Sequence, residues 1–158
     1  MKRAAKAPYA GADLEAQAFV SLQRSADFLA RDVEALLKPF ALSAAQYNIL
    51  RILRGAGAEG LACREIGCRL ISRDPDITRL LDRMEARGLI ARARETKDRR
   101  VVKTRIADEG LRILAELDRP VAEVHRRQFE HFPAKKLREL SRLLDQIRQQ
   151  AKTAPEDK

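Results

Sequence analysis

Apolar residues recur at intervals of three, four and seven through the first long segment of the chain. Leu14, Ala18, Leu22, Leu29, Val33 and Leu36 keep this rhythm within residues 13–38, which predicts a long helix with one apolar face, halted near Pro39. Ser43-Ala44-Ala45-Gln46 has the form of a capping box, in which the Ser43 hydroxyl accepts from the Gln46 amide and the Gln46 side chain reaches back. It opens a second helix through about Arg54 that buries Tyr47, Leu50 and Leu53, and Gly55, Gly57 and Gly60 mark the loop after it. Residues 61–70 read as a short helix with Ile66 and Leu70 inward and Gly67 open to close approach by the next helix. That next helix has a well-specified start: Asp74 suits the N-cap, Pro75 the first helical position, and Asp76 the positive end of the dipole. Ile77, Leu80, Leu81 and Met84 share one face, and Asp76, Thr78, Arg79, Asp82 and Arg83 take the remainder.

Gly88 is predicted to end this helix as a left-handed cap, with Leu89 folding back toward Met84. The period then changes. Residues 89–95 and 101–106 alternate as two strands should, joined by a polar turn with Lys97, Asp98 and Arg99. From about Asp108 to His131 the helical rhythm returns in Leu111, Leu114, Leu117, Val121 and Val124, with Pro120 expected to kink the helix or interrupt its hydrogen bonding. Beyond Pro133, Leu137, Leu140, Leu144 and Ile147 form the stripe of a last helix. The expected fold is mainly α with a small β-ribbon.

Composition narrows this further. The chain has 158 residues, 45% hydrophobic and only 4% aromatic with no Trp, which suits helices packed through Leu, Ile, Val and Ala better than a sandwich or barrel. Lys and Arg number 32 against 23 acids, a net charge of +9, and such an excess attracts a polyanion. Residues 72–106 hold eleven of the bases and six of the acids, so +5 of the charge sits on the helix and ribbon just described. A helix able to enter a groove followed by a basic ribbon is the arrangement a winged helix uses to grip duplex DNA.

On that reading the helix contributes its N-terminal residues. A helix of about thirteen residues spans about 20 Å and fits a major groove about 12 Å wide. Thr78 can donate, accept or touch a thymine methyl, while Arg79 or Arg83 can donate twice to a guanine edge or bind phosphate. Asp76 either accepts from cytosine, orients Arg79, or forms an ordinary surface ion pair with it. Arg92, Arg94, Lys103 and Arg105 fit phosphates or solvated ribbon faces, and Arg73 and Arg64 fit the DNA backbone or open solvent.

Other chemistry finds less support. Cys63, Cys68, His125 and His131 match no zinc spacing, so neither a metal nor any cofactor is expected. Flanking Arg64 and Arg69 would lower a thiol pKa, which leaves a redox sensor at Cys63 or Cys68 as an alternative to simple burial. There is no Gly-rich phosphate loop and no Ser-His-Asp order, so no enzyme is expected. Lys2, Arg3 and Lys6 precede an interrupted Ala-Pro-Tyr-Ala-Gly-Ala-Asp rather than an apolar core, and no stretch approaches a membrane span, so the expected location is the cytoplasm. A basic helical module that uses the ribbon for a protein partner is the rival reading from another class.

Across roughly residues 14–150 the chain resembles the MarR family of bacterial regulators. The most specific match is Asp-x-Arg, five residues, Leu-Thr-x-x-Gly, which stands here as Asp98-Arg99-Arg100, residues 101–105, then Ile106-Ala107-Asp108-Glu109-Gly110. Ala107 replaces the capping threonine, and Asp108 is the candidate substitute. Residues 76–85 with Arg87-Gly88-Leu89-Ile90 resemble the recognition helix and wing entry, and Leu42-Ser43-Ala44-Ala45-Gln46-Tyr47 resembles the opening of the family's second helix.

The resemblance implies a winged helix-turn-helix DNA-binding lobe at 39–107, dimerisation helices at 13–38 and 108–150, a flexible arm at 1–12 and a disordered tail at 151–158. It implies that Arg100 enters the minor groove braced by Asp98, with Arg99 as the competing candidate. The predicted DNA-contacting set is therefore Arg73, Pro75, Asp76, Thr78, Arg79, Arg83, Arg92, Arg94, Asp98, Arg99, Arg100 and Lys103. It further implies a homodimer held by Leu14, Leu114, Leu117, Val121, Leu140, Leu144 and Ile147, although these stripes could instead complete an intramolecular core. The dimer would act as a repressor on a pseudopalindromic double-stranded operator. The family's response to small aromatic or phenolic effectors would draw on Phe19, Phe40 and Tyr47, which otherwise read as core aromatics.

Overall fold

The computed structural model describes residues 13–71, 76–94 and 101–153, with side chains to residue 149. Among the described residues six α-helices and three short strands follow one another: α1 (Leu14–Leu37), α2 (Ala44–Ala56), β1 (Leu61–Ala62), α3 (Cys63–Arg69), α4 (Ile77–Ala86), β2 (Ile90–Arg94), β3 (Val102–Ile106), α5 (Asp108–Phe129) and α6 (Ala134–Thr153). The expected fold class is the observed one, with the strands forming a single antiparallel sheet in the order β1-β3-β2. The chain divides into two compact units, residues 1–122 and 123–158.

The first unit is built on α2. Ser43 and Gln46 make the reciprocal cap, with Gln46 N donating to Ser43 Oγ at 3.2 Å and Ser43 N donating to Gln46 Oε1 at 3.0 Å. That satisfies two amides which the first helical turn leaves without partners and sets where α2 begins. Ile49, Leu50 and Leu53 are then fully buried, joined by Leu37 of α1, Ile66 of α3, Leu81 and Met84 of α4, Leu89, and Leu114 and Leu117 of α5. Each such aliphatic side chain contributes about 1.5–3 kcal/mol by leaving water. Arg54 of α2 grips Asp118 of α5 through two 2.8 Å hydrogen bonds, which hold the Asp118 carboxyl below its ordinary pKa.

α4 ends as its sequence predicts. Gly88 adopts φ +68°, Gly88 N donates to Glu85 O at 2.8 Å, and Leu89 N donates to Met84 O at 3.0 Å. This paired bonding around a left-handed residue suits glycine, which lacks the Cβ that would clash. It reverses the chain into β2, whose residues pair with β3 from Ile90↔Ile106 to Arg94↔Val102.

Two expectations are corrected. Residues 61–70 are not all helix: Leu61 and Ala62 pair with Thr104 and Lys103 of β3 as a third strand, and the helix begins at Cys63. A two-residue strand is too short to show a period of its own. α4 begins at Ile77 with Asp76 in the N-cap position, later than the start expected at Asp74 and Pro75, which lie outside the described residues. It therefore has ten residues. Leu114, Leu117 and Val121, expected either at a dimer interface or in an intramolecular core, are buried in the core of their own unit. Their spacing alone cannot say whether the apolar partner lies in the same chain.

α1 treats its apolar positions differently along its length. Asp13 caps it by accepting from Ala16 N at 3.1 Å, and near its C-terminus Val33, Leu36 and Leu37 reach the core. Leu14, Phe19, Leu22 and Phe28 stay exposed. In the second unit Phe129 and Phe132 meet edge to face at 6.4 Å, and α6 exposes Leu140, Leu143 and Ile147.

Candidate nucleic-acid interface

α3, α4 and the sheet set the geometry of the basic face. Burial of Leu80, Leu81 and Met84 fixes the rotation of α4, so Thr78, Arg79, Asp82 and Arg83 face solvent. At about 1.5 Å per residue the helix is about 15 Å long, enough to lie in a major groove about 12 Å wide. Arg79 and Arg83 stand one turn apart on its open side, where Asp76, Arg79, Asp82 and Arg83 line a concavity of about 370 Å³. Asp76 and Arg79 approach to 3.4 Å, an exposed contact of under about 1 kcal/mol that a phosphate or base edge could replace.

The remaining basic residues divide into those turned outward and those tied down. Arg94 on β2 is exposed beside Val102. Arg92 is not turned outward: its guanidinium donates to Glu85 Oε2 from Nε at 2.8 Å and from Nη2 at 2.6 Å, and to Asp82 Oδ1 at 2.6 Å. Its backbone amide also donates to Glu85 Oε1 at 3.0 Å. Lys103 of β3 bonds Glu65 of α3 at 3.3 Å, and Glu65 also accepts from Ala62 N at 2.7 Å. These two contacts leave Arg92 and Lys103 less open to DNA than expected: each meets a carboxylate that the fold delivers to it. Arg105 likewise donates to Ala58 O at 2.5 Å rather than standing free on the ribbon. Glu85 is held below the ordinary carboxylate pKa, first by the hydrogen bond from Arg92. The arginine is held correspondingly high, first by Glu85 and then by Asp82.

Arg87 went unassigned in the sequence. It donates to Ala41 O at 2.7 Å and Phe40 O at 2.8 Å, tying the end of α4 to the turn between α1 and α2. Ala41 there adopts φ +50°, a left-handed conformation costly for a residue with a Cβ. The Glu85–Arg92 contact had a readable signal, since opposite charges seven apart straddle the Gly88 reversal. The Arg87 contact joins residues 46 and 47 apart in sequence and had none.

Arg73, Pro75, Asp98, Arg99 and Arg100 lie outside the described residues. Of the aromatic trio, Tyr47 is buried with the Arg51 guanidinium 5.8 Å from its ring centre, Phe40 packs against the same core, and Phe19 is exposed on α1. The three are thus split between core and surface. Cys63 is half-buried, Cys68 is exposed, and both are free thiols. Among the described residues no cluster of His, Cys, Asp or Glu is placed to hold a metal ion, and no helix is long and apolar enough to cross a membrane.

A helix presenting arginines beside a paired basic ribbon defines a winged-helix regulator of the DNA-binding class. Comparison with known proteins agrees. A solved MarR transcription factor from Planctomyces limnophilus is 42% identical, spans 85% of this chain and 97% of that one, and superposes with a TM-score of 0.64. The profile of the MarR family matches residues 42–102, and the chain belongs to that family. The transcriptional repressor IacR of Pseudomonas putida is 27% identical over 74% of this chain and 69% of its own. The repressor CouR, solved bound to a 23-mer DNA duplex, is 28% identical over 90% of this chain and 99% of its own, with a TM-score of 0.76.

Proposed function

We propose that this chain is a homodimeric transcriptional repressor that inserts α4 into the major groove of a pseudopalindromic operator and sets the β2–β3 ribbon alongside. The observation that carries the reading is the fixed outward display of Thr78, Arg79 and Arg83 on a helix whose opposite face is locked in the core. Thr78 and Arg79, near the helix N-terminus, supply base contacts, and Arg83 and Arg94 supply phosphate contacts. In the same proposal Asp76 orients Arg79 while Arg73 and Pro75 lie along the DNA backbone. Arg100, braced by Asp98 or replaced by Arg99, enters the minor groove.

Dimerisation is assigned to the exposed apolar positions Leu14, Leu140 and Ile147, together with Leu144 on α6. Two copies would then meet half-sites about one helical turn apart. Response to a small aromatic or phenolic effector, action in the cytoplasm and the absence of a catalytic step belong to the proposal through family membership. Selection of bound duplexes from a random pool with the purified protein tests it. The expected product is an inverted repeat; recovery of unrelated sequences with no symmetry would overturn the reading and favour a module that binds protein.

A further inference from the structure

Two carboxylates on the DNA-facing helix of a strongly cationic chain call for an explanation. Asp82 lies beside Arg79 and Arg83 on the open side of α4, and Glu85 sits half-buried on the flank of the same helix that faces β2; a negative charge on this helix opposes the approach of phosphates. Both are engaged by one residue of the ribbon. Arg92 reaches Glu85 twice and Asp82 once through its guanidinium, and Glu85 takes the Arg92 backbone amide as well. One carboxylate thus fixes main chain and side chain of β2 together, three residues beyond Leu89, where the helix cap ends. The Arg92 side chain is only 25% exposed and that of Glu85 37%, so the contact is shielded more than a typical surface pair. Without it, β2 would keep the Gly88 reversal, the buried Leu89 and Ile90 and the β-ladder, but would lose the tie between its middle and the flank of α4.

From these contacts, and taking the DNA-binding reading above as given, we infer that Arg92 and Glu85 are positioning residues that fix the ribbon's angle to the recognition helix. The spacing between major-groove and flanking contacts is then set inside the protomer before DNA arrives. Preorganisation of this kind raises affinity by lowering the ordering cost at binding. Arg92 does this without touching a phosphate.

The test turns on the sign of one substitution. Glu85→Gln removes a negative charge from the DNA-facing helix. If the carboxylate were a bystander, the variant would bind duplex more tightly; as a positioning group, its loss weakens binding to the selected inverted repeat by about tenfold. Arg92→Gln is expected to weaken binding by a similar factor, with the slope of log K against log salt unchanged. Loss of a true phosphate contact would make that slope shallower by about one. The double variant is expected to be no worse than either single one, because the two act as a unit.

Hydroxyl-radical footprinting gives a readout that a purely structural role would not move. Protection flanking the centre of each half-site fades in the variants, while protection under α4 persists. Thermal unfolding of each variant shows that the titrated protein is folded, and Arg92→Lys, which keeps a single charged donor, serves if Arg92→Gln does not fold. Tighter or unchanged binding by Glu85→Gln, or a shallower salt slope for Arg92→Gln or Arg92→Lys, overturns the inference. Failure of the wild-type protein to bind the duplex overturns the functional reading itself, so the two failures are distinguishable.

Discussion

Replacing Gly110 with alanine adds one methyl group where three elements meet. Gly110 lies in the first turn of α5, and a Cβ there would fall inside van der Waals contact of the Leu89 carbonyl oxygen, 2.9 Å from Ile106 Cγ1 and 3.0 Å from Leu50 Cδ2. Leu89 O is backbone and already accepts from Ala107 N at 3.0 Å. To restore the ~3.3 Å that a carbon–oxygen contact requires, α5 would have to move by on the order of 1 Å. That strains the bond to Leu89 and opens the packing on Leu50. Overpacking of this sort costs about 1–3 kcal/mol and a weakened hydrogen bond about 1 more, against about 1 kcal/mol gained in helix propensity. The net is a loss of about 2 kcal/mol, or about 4–8 °C in Tm for a chain of this size. Gly55→Ala is the matched control: Gly55 also lies in a helix, α2, but a Cβ there meets nothing within 4 Å. It should raise stability by up to about 1 kcal/mol. Urea unfolding of both variants beside the wild type reads the difference. If Gly110→Ala equals or exceeds the wild type while Gly55→Ala behaves as stated, the close approach of α5 to Leu89 is wrong.

Three further outcomes follow from the same geometry. Ser43→Ala removes half of the reciprocal cap on α2 and should cost about 1 kcal/mol in urea unfolding. Glu85 and Asp118 both have carboxyl groups held below their unfolded values, so their contribution is complete above about pH 4.3 and is lost as pH falls through the lower folded values. Stability followed from pH 6 to about pH 3 should fall in that window, and by less in Glu85→Gln. Ile147→Lys places a charge on the exposed stripe of α6 and should halve the mass seen by sedimentation; an unchanged mass would remove this residue from the dimer contact.

What could be read from the sequence was whatever local chemistry decides. The Ser43–Gln46 cap, the Gly88 reversal and the inward face of α4 each depend on residues within a few positions of one another, and each appears as expected. β1 did not announce itself, because two residues gain strand character only from the β3 partner some forty positions later. The basic residues illustrate the same limit. Composition says that arginine is abundant near the ribbon, but only tertiary contacts separate Arg94, which faces solvent, from Arg92, which is taken up by Glu85 and Asp82. The apolar stripe of α5 was visible too. Whether a second copy or the chain's own core covers it was left open by the spacing.

Recognition of a symmetric duplex by a pair of α4 arginine faces is what the proposed function requires. Fluorescence anisotropy with the selected inverted repeat and a scrambled duplex, for wild type and Arg79→Ala across a salt series, addresses it most directly. The repeat should be preferred by roughly a thousandfold or more, with a salt slope near −0.9 for each phosphate contacted. Arg79→Ala should lose about 1–3 kcal/mol on the repeat and much less on the scrambled duplex. Equal affinity for both duplexes, or an Arg79→Ala protein that still discriminates as the wild type does, would contradict it.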